Sequence, residues 1–78
     1  MVEFRLDIQH LAPNEPDMNT FLVYIKDNYA DAVQSATADS TTQRCLAGFV
    51  FITYSDMITA LLDLRTKFSI SYHLEVRK

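Results

Sequence analysis

Cysteine and glycine occur once each in these 78 residues, proline twice and tryptophan not at all. The single Cys45 excludes an internal disulfide and any multi-cysteine metal site, and it suggests a reducing, intracellular setting. One glycine leaves no glycine-rich phosphate loop. No apolar run approaches the roughly 18 residues that a membrane span needs, and no charged-then-apolar leader opens the chain. Positive charge is also scarce. Seven Lys and Arg against ten Asp and Glu give a net charge of −3, which disfavours the broad cationic footprint that duplex DNA requires. No nucleophile–base pair is spaced for catalysis, and no cofactor or metal is expected. His10 and His73 fall on different strands with no third ligand at useful spacing, so both are expected to be structural or surface residues.

What is present is an ordinary globular composition, 49% apolar and 22% charged. At this length the chain makes one small domain, near the lower limit for a self-sufficient core. Residues 2–9 alternate strictly. Val2, Phe4, Leu6 and Ile8 share one face and Glu3, Arg5, Asp7 and Gln9 the other, which predicts a half-buried strand. Asn14 then caps a helix, with Pro16 in its first turn and Asp17 placed to reach back. Met18, Phe21, Leu22, Ile25 and Tyr29 form its buried stripe. An edge strand is expected somewhere within 32–43, and residues 39–44 read as a polar hairpin tip.

Residues 45–54 are the next strand, and they include the longest apolar run, 47–54. Its inward set is read as Val50, Ile52 and Tyr54. Phe49, Phe51 and Thr53 then point to the opposite face. Ser55 and Asp56 supply the cap of a second helix that runs to about Lys67. Met57, Ala60, Leu61, Leu64 and Phe68 form its stripe. Residues 69–78 alternate again. Ile70, Tyr72, Leu74 and Val76 face inward, while Ser71, His73, Glu75 and Arg77 face outward. The order is βαββαβ, the ferredoxin-like α+β pattern: a four-stranded antiparallel sheet with both helices on one face. The other face is left open.

The stretch Gly48-Phe49-Val50-Phe51-Ile52-Thr53-Tyr54 resembles the RNP1 motif of RNA recognition motif domains, matching at the glycine, both stacking aromatics, the aliphatic and the last aromatic. Leu6-Asp7-Ile8-Gln9-His10-Leu11 is similar to the RNP2 motif of the first strand. Residues 1–78 then read as one RNA recognition motif-like domain cut from a longer protein. Three positions depart from the pattern. Ala47 stands where a basic residue would meet phosphate, Val50 replaces a small residue, and Asp7 occupies the place of a third ring.

The resemblance implies weak binding of single-stranded RNA. Phe49 and Phe51 would be stacking platforms beside Thr53, with Gln9 as a hydrogen-bonding group and Arg44, Arg77 and Lys78 near phosphate. On that reading, changing both Phe residues to Ala removes binding and leaves the fold intact. The alternative partner is a protein or peptide, anchored by the same Phe pair among mixed charges.

Overall fold

A computed structural model describes residues 2–77. The elements follow the expected order: β1 (Glu3–Leu11), α1 (Glu15–Asn28), β2 (Val33–Asp39), β3 (Arg44–Phe51), α2 (Tyr54–Lys67) and β4 (Ile70–Arg77). The strands lie in the order β2-β3-β1-β4, with every neighbouring pair antiparallel. This is a ferredoxin-like α+β fold. β1 and β3 are central, β2 and β4 are the edges, and the helices pack over β2, β3 and β1.

β1 buries the parity its alternation predicts: Leu6, Ile8 and His10 are buried and Phe4 is packed against the core. It runs two residues beyond Gln9, to Leu11. Asn14 caps α1 as expected, accepting a hydrogen bond from the Asp17 amide at 3.1 Å. Met18, Phe21 and Ile25 are the buried stripe. β2 falls inside the 32–43 window and carries a bulge between Val33 and Ser35. The β2–β3 hairpin is closed by residues 40–43. Asp39 Oδ1 accepts from the Thr41 amide at 2.9 Å. Gln43 is left-handed at φ 53°, and its carbonyl accepts from Ala12 N at 2.9 Å.

Two expectations are corrected in β3. First, its inward parity is reversed. Cys45, Ala47, Phe49 and Phe51 face the helices, with Phe49 0% and Phe51 7% exposed. Val50 is on the open side, and Ile52 and Tyr54 are 66% and 56% exposed beyond the strand. The register is the cause. Phe51, Phe49, Ala47 and Cys45 pair with Phe4, Leu6, Ile8 and His10, so the inward parity of β1 dictates theirs. Burying two Phe rings also removes more apolar surface than burying Val and Ile would. Second, the strand stops at Phe51. Thr53 is the N-cap of α2, its Oγ1 accepting from the Asp56 amide at 3.1 Å, and Tyr54 is already helical. Thr53 therefore belongs to no sheet face, and the cap lies two residues before Ser55.

The core is rich in ring contacts. Phe49 stacks on Phe51 with centroids 6.1 Å apart, and Tyr29 meets Phe49 edge-on. His10 is buried against Phe21 and Phe68, and its Nδ1–H donates to the Ser69 carbonyl at 2.9 Å. That bond satisfies a polar group that would otherwise be costly to bury. The helices are also tied directly. The hydroxyls of Tyr24 and Tyr29 on the α1 side both donate to Asp63 Oδ2 on α2, Tyr29 at 2.6 Å.

Candidate functional site

The open face is built by the alternate residues of four strands. β2 contributes Ser35 and Thr37, and β3 contributes Arg44, Leu46, Gly48 and Val50. β1 contributes Arg5, Asp7 and Gln9, while Ser71, His73, Glu75 and Arg77 come from β4. No Phe or Tyr ring is among them, and His73 is the one aromatic side chain in the set. At its centre Arg5 Nε lies 3.3 Å from Asp7 Oδ1, both side chains partly exposed. A pair at that exposure contributes little to stability. It does shape the surface. A Cβ at Gly48 would come within 2.9 Å of Ser35 Oγ, 3.3 Å of Asp7 Oδ1 and 3.4 Å of Arg5 Nη2. The lone glycine is what lets these side chains lie across the middle of the sheet.

The residues expected to form an RNA site are not brought together. Phe49 and Phe51 are in the core, and Thr53 caps α2. Gln9 and Arg44 are neighbours at one end of the open face, with Gln9 opposite Leu46 and Arg44 opposite Leu11. Arg77 lies opposite Glu3 at the other end and pairs with Glu75 at 3.4 Å. Gln9 is six residue steps along β1 from Glu3, roughly 20 Å of strand. Lys78 lies outside the described residues.

Exposed apolar side chains are scattered over the described surface, Leu11, Val23, Leu46 and Ile52 among them, and one group lies along β4 and the start of α2. Tyr72 and Val76 are 47% and 50% exposed although both point to the helix side of the sheet, and Ile70 and Leu74 are only half-buried. Neither helix covers this strand well. Tyr54 closes edge-on over Phe4 at 5.7 Å, and Phe4 is the cross-strand partner of Val76. The guanidinium of Arg65 lies 6.0 Å from the centroid of the Tyr72 ring. The result is an apolar strip of Tyr54, Phe4, Val76, Leu74 and Tyr72 beside an edge whose backbone groups have no neighbour on one side. Sequence periodicity marked these positions as inward. What it could not convey is that a strand at the sheet edge, beyond the helices, leaves inward residues half-open. The signal that could have found this is the fold itself, because βαββαβ topology puts the last strand at an edge.

Other chemistry is thinly represented. A depression between the end of α1 and the start of α2 is lined by Asp27, Asp31, Asp56 and Thr59, an acidic setting unsuited to phosphate. Among the described residues no group of three His, Cys, Asp or Glu could hold a metal ion, and no helix is long and apolar enough to cross a membrane. Comparison with known proteins finds no matching family model, no similar curated protein and no similar solved structure.

Proposed function

We propose that this domain is a protein-interaction module that docks its partner along β4 and the flank of α2. One observation carries the reading: Tyr72 and Val76 are about half exposed on the helix side of a strand that has no neighbour beyond it, while the Phe pair that RNA stacking would use lies in the core. An edge strand with free backbone donors and acceptors takes an added strand, and half-open side chains beside it supply pockets for alternate residues of that strand. Tyr72, Leu74 and Val76 supply those contacts, with Tyr54 and Phe4 closing one end. The function is binding without chemistry. The buried free Cys45 is in keeping with an intracellular setting.

Single-stranded RNA is the competing ligand, and the test sets the two side by side. A displayed library of extended peptides is selected against the domain, and the winners are titrated by NMR. Random single-stranded RNA is titrated in parallel at low salt. Peptides with alternating apolar residues should be selected and should shift the amides of 70–77. Binding of the RNA pool with a steep salt slope and shifts centred on the open face would overturn the proposal, as would peptides that map away from β4.

A further inference from the structure

We propose that the partner of β4 is a second copy of the same chain, joined antiparallel about a two-fold axis through Leu74. The inference rests on the reading of β4 as the docking edge and adds the identity and register of what docks there.

The first support is that the two edges of the sheet differ. β2 is interrupted by its bulge and carries mainly small or polar side chains, Ser35, Ala36, Thr37 and Ala38. Such features discourage strand addition. β4 has little of the usual protection beyond the charges of Glu75 and Arg77. From Ile70 to Arg77 it holds no Pro, Gly or Lys, and its register with β1 is unbroken from Glu3↔Arg77 to His10↔Ile70. A straight, regular, half-apolar edge is the kind that pairs with another strand.

The second support is side-chain complementarity, which selects one register. With Leu74 opposite Leu74, Tyr72 falls opposite Val76 twice, an aromatic–β-branched pair of the kind favoured across antiparallel strands. On the open face His73 falls opposite Glu75 twice, and Ser71 opposite Arg77. Within each copy Asp7 already faces His73, and Arg5 already faces Glu75. The row across the junction therefore reads Asp7, His73, then Glu75 and Arg5 of the second copy. Acid alternates with nitrogen donor without a break, and the symmetry generates the same row again. A shift of the centre by one residue toward the C-terminus puts Glu75 against Glu75 and His73 against Arg77. A shift the other way puts His73 against His73 and leaves Glu75 opposite Ser71. Of these three registers only the Leu74-centred one matches charge, and it pairs residues 71–77 of the strand with themselves.

The helix side agrees. Leu6 faces Leu74, Ile8 faces Tyr72 and Phe4 faces Val76 within one copy. Pairing about Leu74 makes a continuous apolar row of Leu6, Leu74, Leu74 and Leu6, linking the two cores. An isologous pairing of this kind closes on itself, so the product is a dimer with one eight-stranded sheet and not a fibre.

The test reads both the mass and the register. Sedimentation equilibrium should give the wild type twice the monomer mass, and Leu74→Lys should return it to monomer. Val23→Lys, on the exposed side of α1, should leave the dimer intact. Because Leu74 is half-buried, a second pair of variants guards against a folding defect. Tyr72→Cys and Val76→Cys are prepared separately and oxidised alone and as an equal mixture. Cys45 is buried and stays silent. The mixture should give at least tenfold more disulfide-linked dimer than either variant alone, because position 72 meets position 76 and neither meets itself. A wild type that stays monomeric to about 1 mM, or equal cross-linking alone and mixed, overturns the proposal. If the chain is monomeric yet selected peptides still dock along 70–77, only the second copy is wrong. If peptides fail as well, the module reading falls with it.

Discussion

Leu6 on β1 sits directly opposite Phe49 on β3, and both side chains are fully buried. This pair fixes the face of every residue in β3. Once Leu6 points to the helices, Phe49 must as well, and so must Phe51, Ala47 and Cys45.

Phe49→Ala should therefore be a stability variant. Removing a buried ring from a packed core costs about 3–5 kcal/mol, which is most of the stability of a domain this small. Urea denaturation at 25 °C should show the midpoint moved close to zero denaturant, and the double change with Phe51→Ala should not fold. If the double variant keeps a native circular dichroism spectrum and melting temperature, the rings are not where the structure places them.

Thr53→Ala should cost about 1 kcal/mol through loss of the α2 cap. Ser55→Ala should cost markedly less, because it is Thr53 Oγ1 that accepts the Asp56 amide. Thermal melts of the two variants side by side make the comparison. Equal losses would place the cap elsewhere.

The Tyr24–Asp63–Tyr29 bridge gives stability a defined pH dependence. The Asp63 carboxyl is held below its usual range by the hydroxyls of Tyr24 and then Tyr29. Its contribution is present above the unfolded value of about 3.9 and is lost as pH falls through the lower folded value. The Tyr24 phenol is pushed up to about 12, first by its hydrogen bond to Asp63. Tyr29 is also raised, first by burial and then by Asp63. The phenols contribute fully below about pH 10 and lose that contribution as pH rises through their folded values. The stability difference between wild type and Asp63→Asn should be a plateau of about 1–3 kcal/mol near neutrality. It should shrink at both extremes. A difference that stays flat from pH 2 to 12 would remove the bridge from the account.

Cys45 should be inert in the native state. It is fully buried, and burial pushes its thiol upward. Alkylation at pH 8 should be at least ~100-fold slower than in denaturant, since the reacting thiolate is both disfavoured and inaccessible. Labelling at the denatured rate would place Cys45 at the surface.

Much of this architecture is legible in the sequence, for reasons that can be located. β1 and β4 alternate apolar and polar residues without interruption, so their faces could be assigned. Asn14-Glu15-Pro16-Asp17 carries three independent start signals and gave the α1 cap correctly. The run 47–54 is different because it is apolar at both parities. Phe49 and Phe51 compete with Val50, Ile52 and Tyr54 for the inner side, and periodicity cannot rank them. Cross-strand pairing with β1 decides, and that is a tertiary fact. Thr53-Tyr54-Ser55-Asp56 does carry a Thr-x-x-Asp start signal. It was masked because Ser55-Asp56 offers the same residue types two positions later. The bridge to Asp63 was not legible, since it joins residues more than thirty positions apart.

The pairing of the first strand with the last has a kinetic consequence. The β2–β3 hairpin closes over a few residues, whereas β1 and β4 meet only when nearly the whole chain has been gathered. Ordering a contact of that span requires most of the loop-closure entropy first. β4 should therefore join the sheet late in folding and leave it early in local opening. Amide hydrogen exchange of the monomer should then be slowest in β3 and fastest, among the strands bonded to β1, in β4. Such an edge can change neighbours while the remainder of the domain stays assembled.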